Sequence, residues 1–422
     1  MTSDRRRAYV WGWPDGVGEP VVIGVLDQRE RLVMFTYGAG YLRGNDPPVY
    51  LPELPLRRGP IDPRGDLSIA GCISDAGPDA WGQRVILNRL VGRAVEVSAD
   101  PGEIGALTYL LESGSERIGA LDFQRSATVY EPWGTQMAQL EQLVQAAELV
   151  EQGTPLPPDL DAALMHGSSV GGARPKALLR DEGRTCIAKF SSNTDTYPVV
   201  KAEYVAMSLA RQAGLDVAPV ALQQALGKDV LVVDRFDRTP SGARRSIVSA
   251  LTILELDPFT GARYASYADL ADEVRARFTN PAATLRELFS RITFNVLVGN
   301  TDDHARNHAA FWNWRDATLT LTPAYDICPQ PRAGGEATQA MAITHDGWRF
   351  SQIAGCVSAA GIYKLSADEA REIVERQVSV IEDGWAGVCD DARLSDVDRR
   401  YLWRRQFLNP YAFHDDPGVP SR

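Results

Sequence analysis

The run 295–308, NVLVGNTDDHARNH, ends an apolar stretch with a cluster of carboxylates, amides and histidines. In it Asp302 and Asn307 stand five positions apart, in a polar, turn-like segment behind Ile292, Phe294, Val296, Leu297 and Val298. A carboxylate can accept a proton or bind a cation, whereas an amide oxygen can bind a cation without competing for the proton. Further on, FWNW and TLTLT predict a hairpin about Arg315 and Asp316, and LTPAYD then delivers a second carboxylate, Asp326. Phosphoryl transfer uses such a set. It asks little covalent chemistry of a protein, but it needs a cradle and a cation for the phosphates, oxygen ligands for magnesium, and a carboxylate beside the attacking hydroxyl.

The remaining parts can be sought one by one. The cradle candidate is GSSVGGARPKA, residues 167–177, whose small residues let backbone N–H groups approach phosphate oxygens before the chain enters a strand. No GxxxxGK[ST] loop is present, and taken alone this segment reads more readily as a plain hairpin or linker loop. The cation candidate is Lys189 in CIAKF, a charge set among Ile187, Ala188 and Phe190 near the end of a strand; the bland alternative is a snorkelling edge lysine. Glu203, fourteen residues later on a predicted helix, is placed to hold that lysine as an ion pair, or is a surface glutamate. Base, amide, hairpin and second carboxylate follow one another as in protein kinases, with Tyr-Asp-Ile in place of Asp-Phe-Gly. A competing reading makes His304 and His308 metal ligands with Asp302 or Asp303, in a hydrolase. The chain has five histidines and no HExxH pattern, and His166, His345 and His414 lie in unrelated contexts, which weighs against it.

These residues need elements to hold them. EPVVIGVLDQRERLVMFTYGAGYL predicts an antiparallel hairpin, part of a β-rich module over the first ~125 residues. A helix is expected over 79–91 with Trp81, Val85, Ile86 and Leu90 on one side, another over 135–153, and a short one at LDAALMHG. KALLR and TCIAKF predict a strand pair about DEGR, followed by a helix over 199–214 and β-like runs up to LVVDRFDR. Beyond residue 240 the pattern is mostly helical, apart from the hairpin at 309–323.

Composition bounds the function. With 422 residues, two or three domains are expected, and 44% hydrophobic with 23% charged residues is a globular balance. No stretch approaches the ~18 consecutive apolar residues of a membrane span, and MTSDRRRAYVWGWPDG lacks the apolar core of a secretory signal, so the expected location is the cytoplasm. The five cysteines are scattered and odd in number, which predicts reduced buried thiols rather than disulfides or structural zinc. A net charge of −11 argues against nucleic-acid binding by the chain alone, but not through a basic partner.

With these residues in view, the chain resembles the HipA family, the kinase toxins of bacterial toxin–antitoxin pairs, over nearly its whole length. GNTDDHARN and LTPAYDI are similar to the family's catalytic and magnesium motifs. SVGGARPKALL is similar to its phosphate loop, and VDRFDR and SALTILELDP…YASYADLADEVR to the segments between. ISDAGPDAWGQRVI resembles the module that precedes the kinase core. The resemblance implies that Lys189 holds the α- and β-phosphates of ATP, that Asp302 is the base, and that Asn307 and Asp326 ligate Mg2+. It implies that Ser169, Val170, Gly171, Gly172 and Ala173 form the phosphate loop and that Val233, Asp234 and Phe236 border the adenine. Ser169, or Ser168 beside it, would be autophosphorylated, switching the enzyme off. Arg174-Pro175 departs from the Gln-Glu or Gln-Pro common in family loops.

The expected fold is therefore α+β, a two-lobed, protein-kinase-like (HipA-like) fold with an N-terminal β-rich subdomain (1–127), a kinase N-lobe (128–240) and a mostly helical C-lobe (241–422). The expected activity is a Ser/Thr protein kinase using ATP and magnesium. The family's target class is an aminoacyl-tRNA synthetase, whose modification stalls translation and arrests growth. The alternative is a catalytically weak binding module, a corepressor for a HipB-like helix-turn-helix antitoxin that meets DNA only through that partner. No membrane association is expected.

Overall fold

A computed structural model describes residues 7–14, 18–44, 46–94, 104–134, 138–165, 174–181, 183–257, 261–332 and 335–414. Its contacts divide the chain into two compact units. One comprises residues 1–192, 223–248 and 311–317, the other 193–222, 249–310 and 318–422. These units do not follow the expected division at 127 and 240. The N-terminal module and the strand pair over 176–190 belong to one unit, while the Val199–Gln212 helix belongs to the other.

In the first unit, β1 (Arg7–Gly12), β2 (Val21–Arg29), β3 (Leu32–Tyr37), β4 (Pro60–Ile61) and β5 (Leu121–Gln124) form a sheet of order β4-β3-β2-β1-β5. The expected hairpin is β2–β3, antiparallel with Arg29 opposite Leu32 and a tight turn in which Glu30 takes a positive φ of 53°. Alternation fixes its faces: Val33, Phe35 and Tyr37 are buried, and Met34 and Thr36 between them are less so.

The second sheet comprises β6 (Lys176–Asp181), β7 (Arg184–Phe190), β8 (Val220–Ala225) and β9 (Lys228–Asp234), in the order β6-β7-β9-β8. Both faces of this sheet have a job. Ala177, Cys186, Ala188, Phe190, Val230 and Val232 pack into one core with Trp81, Val85 and Ile86 of the Ala80–Ala94 helix, and with Leu143, Val144, Ala147 and Leu164 of the Leu140–Glu151 and Pro158–Met165 helices. Register puts the alternate residues on the opposite face, with Lys189 across from both Lys176 and Leu231 and Ile187 across from Val233. The Trp81 indole N–H donates to the carbonyl of Lys176 at 2.9 Å, satisfying a buried donor and tying the helix to the first residue of β6.

The second unit is built on the Pro281–Val298 helix, twelve of whose eighteen residues are buried. Such burial around its whole circumference marks a central helix rather than an amphipathic surface one. Proline opens it, and Gly299, with φ 70°, closes it in the left-handed conformation that a side chain tolerates poorly. A Cβ on Gly299 would come within 2.8 Å of the Gln406 carbonyl oxygen, so both the turn and the packing demand glycine. The expected 309–323 hairpin is β11 (Ala309–Asn313) and β12 (Thr318–Leu321), with β10 (Ile247–Ser249) pairing to β11 to give the order β10-β11-β12. The unit boundaries fall within β8, β10 and β11.

All five cysteines are free and buried. Among the described residues no helix is long and apolar enough to cross a membrane.

Candidate active site

The Pro281–Val298 helix ends three residues before Thr301, and the chain then forms a loop whose shape is dictated by one buried carboxylate. Asp303 accepts a hydrogen bond from the Asn295 amide at 2.7 Å and from the Tyr267 hydroxyl, and lies 2.8 Å from Nε2 of His308. Three elements thus meet on one carboxylate: the helix that precedes the loop, the Tyr267–Arg277 helix, and the residue just before β11. Burial alone would raise the Asp303 pKa. The adjacent His308, together with hydrogen bonds from His308 and Tyr267, outweighs burial and holds it below the ordinary range. Asn300 extends the network by donating to the Asn295 side-chain oxygen at 3.0 Å.

Asp302 and Asn307 are carried by this clamped loop. In the turn that follows the helix Asp302 is exposed, whereas Asp303 beside it is buried. Asn307 is buried in a short 3-10 turn (Ala305–Asn307) whose last N–H donates to the His304 carbonyl at 2.8 Å. The Asp302 pKa is raised, first by the water its surroundings exclude and then by the carboxylates of Asp326 and Asp303, against a lowering by His304. Asp326 therefore lies near enough to Asp302 to be felt electrostatically.

Asp326 reaches that place in a left-handed backbone conformation, φ 61°, which is uncommon for a residue other than glycine. Strain of this kind persists where surrounding contacts over-determine it, and such contacts are present. Tyr325 donates its hydroxyl to the Arg306 carbonyl at 2.7 Å, and Asn300 approaches the Asp326 carbonyl at 3.4 Å. The preceding Ala324 bonds through its N–H to Asp216 and through its carbonyl to Ala218. The second carboxylate is thereby pinned to the same loop as the first.

The other expected site residues fall as follows. Lys189 is half-buried on β7, and Val233 and Asp234 end the adjacent β9. Asp234 is not free to reach a ligand with both oxygens: Arg184 donates to one at 2.5 Å, and the Cys186 thiol lies 3.4 Å from the other. Phe236 packs edge-on against Phe311, with ring centroids 6.0 Å apart. Glu203 is buried on the Val199–Gln212 helix, which removes the surface-glutamate alternative. Ser168, Ser169, Val170, Gly171, Gly172 and Ala173 lie outside the described residues.

Two features were not visible in the sequence. Asp303 and His308, weighed there as metal ligands, are structural partners of each other. Among the described residues the metal-competent grouping is instead an exposed Asp269–Asp272–His345 set elsewhere in the unit. The second feature is Lys176. It stands in register opposite Lys189 and is nearly inaccessible, with Nζ 3.7 Å from Asp79.

The α+β fold and these motifs define a kinase-like protein of the HipA type. The sequence profile described as HipA-like C-terminal domain matches residues 168–385, just over half of the chain, and the chain belongs to the HipA family. It is 26% identical over 227 residues to "Putative kinase Y4mE" of Sinorhizobium fredii, a match covering 50% of this chain and 52% of that protein. It is 27% identical over 188 residues to the "Serine/threonine-protein kinase toxin HipA" of Shewanella oneidensis, covering 38% and 42%. The matches thus span about half the length of these relatives. The fold extends further. The HipA chain solved in a Shewanella oneidensis HipA, HipB and operator DNA complex superposes with a TM-score of 0.65 at 19% identity, over 93% of this chain and 97% of that one.

Proposed function

We propose that the chain is a Ser/Thr protein kinase that uses ATP and magnesium, acts in the cytoplasm and phosphorylates a protein hydroxyl. The observation that carries this reading is that Asp302 and Asn307 lie on one clamped loop, to which the segment carrying Asp326, itself in a left-handed conformation, is tied through Tyr325. Asn307 and Asp326 offer oxygen donors, the type magnesium prefers, and the crowding of Asp326 against Asp302 leaves negative charge that a cation would relieve. Magnesium, when bound, would neutralise charge on the β- and γ-phosphates.

The remaining roles belong to this chain's own groups. The Asp302 carboxylate orients the substrate hydroxyl and takes its proton as the new O–P bond forms and the bond to the ADP leaving group breaks. Because the transition state is loose, orientation contributes more than basicity. Lys189 places its ammonium on the α- and β-phosphates, and the backbone of Val233 to Phe236 reads the adenine edge. Ser169, or Ser168, would be the autophosphorylated loop residue.

An aminoacyl-tRNA synthetase is the proposed target class, on the family resemblance. A HipB-like helix-turn-helix antitoxin is the proposed partner, supported by the fold shared with a HipA solved in complex with HipB and operator DNA, and compatible with a net charge of −11. Calorimetric titration with ATP, with and without magnesium, tests the nucleotide site. The reading expects magnesium-dependent ATP binding that Asp326→Asn weakens by more than tenfold. Magnesium-independent binding, untouched by Asp326→Asn, would remove Asp326 from its role.

A further inference from the structure

Beyond Asp234 the chain enters a dense buried ionic cluster. The Asp237 carboxylate accepts from Nε and Nη2 of Arg235 at 2.8 and 2.6 Å, from Nη1 of Arg238 at 2.7 Å, and from the Gly119 backbone N–H at 2.8 Å. Both arginines also reach back to the N-terminal module. Arg235 and Arg238 donate to the Arg117 carbonyl at 2.7 and 2.8 Å, and Arg238 donates to Glu116 at 3.1 Å. Arg117 is itself fully buried and bonded to Asp122 of β5 at 2.7 Å. All of these residues belong to one compact unit.

Nothing in phosphoryl transfer consumes this cluster, yet its position is particular. Arg235 and Asp237 are buried on either side of Phe236, so the backbone of Phe236 is pinned from both neighbours. Three residues before Phe236, Val233 sits on the Lys189 face of the sheet, since Ile187 opposite Val233 and Leu231 opposite Lys189 share that face. The Arg235 N–H closes the end of the strand on the Thr185 carbonyl at 3.2 Å. The segment thus leaves β9 beside the lysine strand and is locked at once by groups from residues 116–119.

We propose that Asp237, with Arg235 and Arg238, is a positioning residue through which the 116–119 segment of the N-terminal module sets the geometry of the adenine-reading stretch. This rests on the assignment of Val233 to Phe236 as that stretch. The cluster touches no nucleotide itself. It acts by keeping the backbone N–H and C=O groups of 233–236 in the conformation that binds. When the latch is loosened, the competent conformation is populated only part of the time, and apparent affinity falls by that fraction. Buried, mutually satisfied ion pairs suit this task, because they fix one geometry more sharply than apolar contacts, whatever their net contribution to stability.

The test is titration of full-length protein with Mg-ATP, comparing wild type with Asp237→Asn, Asp237→Glu and Glu116→Gln, each first checked for cooperative unfolding. A competent population of a tenth in folded Asp237→Asn predicts an ATP dissociation constant raised about tenfold. Asp237→Glu should recover part of the loss. Glu116→Gln, on the module side and at the rim of the cluster, should raise the constant by about threefold, a competent population of a third. Phosphotransfer at saturating ATP should stay within about twofold of wild type, since Asp302, Asn307 and Asp326 are unaltered. Lowered melting temperatures with unchanged ATP affinity in the folded variants would make the cluster merely structural and overturn the proposal. If Asp237→Asn does not fold, Glu116→Gln decides by the same criterion. Wild type that does not bind Mg-ATP would overturn the kinase reading and the latch together, whereas wild type that binds, with variants of equal affinity, would overturn the latch alone.

Discussion

The carboxylate of Asp303 lies 2.8 Å from Nε2 of His308, with the whole 3-10 turn that presents Asn307 closed between them. This pair, completed by Tyr267 and Asn295, makes the loop bearing Asp302 a fixed platform rather than a surface turn.

Removing the carboxylate should therefore cost stability first. Asp303→Ala leaves buried donors on Tyr267, Asn295 and His308 without an acceptor, and each unsatisfied group costs about 1–3 kcal/mol. Denaturant unfolding should show a loss of at least ~3 kcal/mol, with Tyr267→Phe, which deletes one donor and its bond together, losing much less. Equal stability of Asp303→Ala and wild type would mean the network contributes nothing.

Asp302 is predicted to behave oppositely. It is exposed and holds no fold contact of this kind, so Asp302→Asn should unfold like wild type while phosphotransfer drops by roughly 10²–10⁴, the range for loss of a general base. A drop below about tenfold would fit orientation by other groups and demote Asp302.

The ionic cluster around Asp237 should shape the acid limb of stability. Burial alone would raise the Asp237 pKa, but Arg235, Arg238 and the Gly119 N–H hold it well below the ordinary carboxylate range. A depressed folded pKa means that the unfolded chain binds the proton first. The stabilisation is thus fully present above about pH 5 and is lost as the pH falls through the unfolded value near ~4 towards the folded one. Asp237→Asn should be less stable at pH 7 and lose less on acidification from pH 5 to 3. Parallel curves for the two proteins would contradict the assignment.

The cysteines offer a simple check on the cores. Burial pushes the thiols of Cys186, Cys356 and Cys389 up to about 12 and that of Cys72 well above its ordinary value, so thiolate is scarce at neutral pH. An aromatic disulfide reagent should label native protein slowly and all five sites in denaturant. Rapid native labelling would mean that these cores open readily.

What could be read in the sequence was local. The β2–β3 hairpin, the strand pair holding Lys189, the buried helix ahead of Asp302 and the later hairpin all announce themselves by alternation, apolar periodicity or turn residues within some twenty positions. The order Asp302, Asn307, hairpin, Asp326 stands in the sequence for the same reason. The partners that fix these groups were not. Gly119 and Asp237 are 118 positions apart, and Tyr267 and Asp303 are 36 apart. No spacing rule links such residues. A second carboxylate next to Asp302, followed by a histidine five positions on, suits metal ligation and a structural ion pair equally well, and only the burial of Asp303 separates the two. The chain's division into units was obscured for a related reason, since strands and helices adjacent in sequence pack into different units.

The central claim, kinase chemistry at Asp302, is tested most directly by intact-mass analysis of purified protein incubated with Mg-ATP, wild type beside Asp302→Asn, with candidate synthetases then offered as substrates. The account predicts gain of a phosphate by wild type or by a substrate in its presence, and none with Asp302→Asn. No transfer to either, or equal transfer by the mutant, would contradict it.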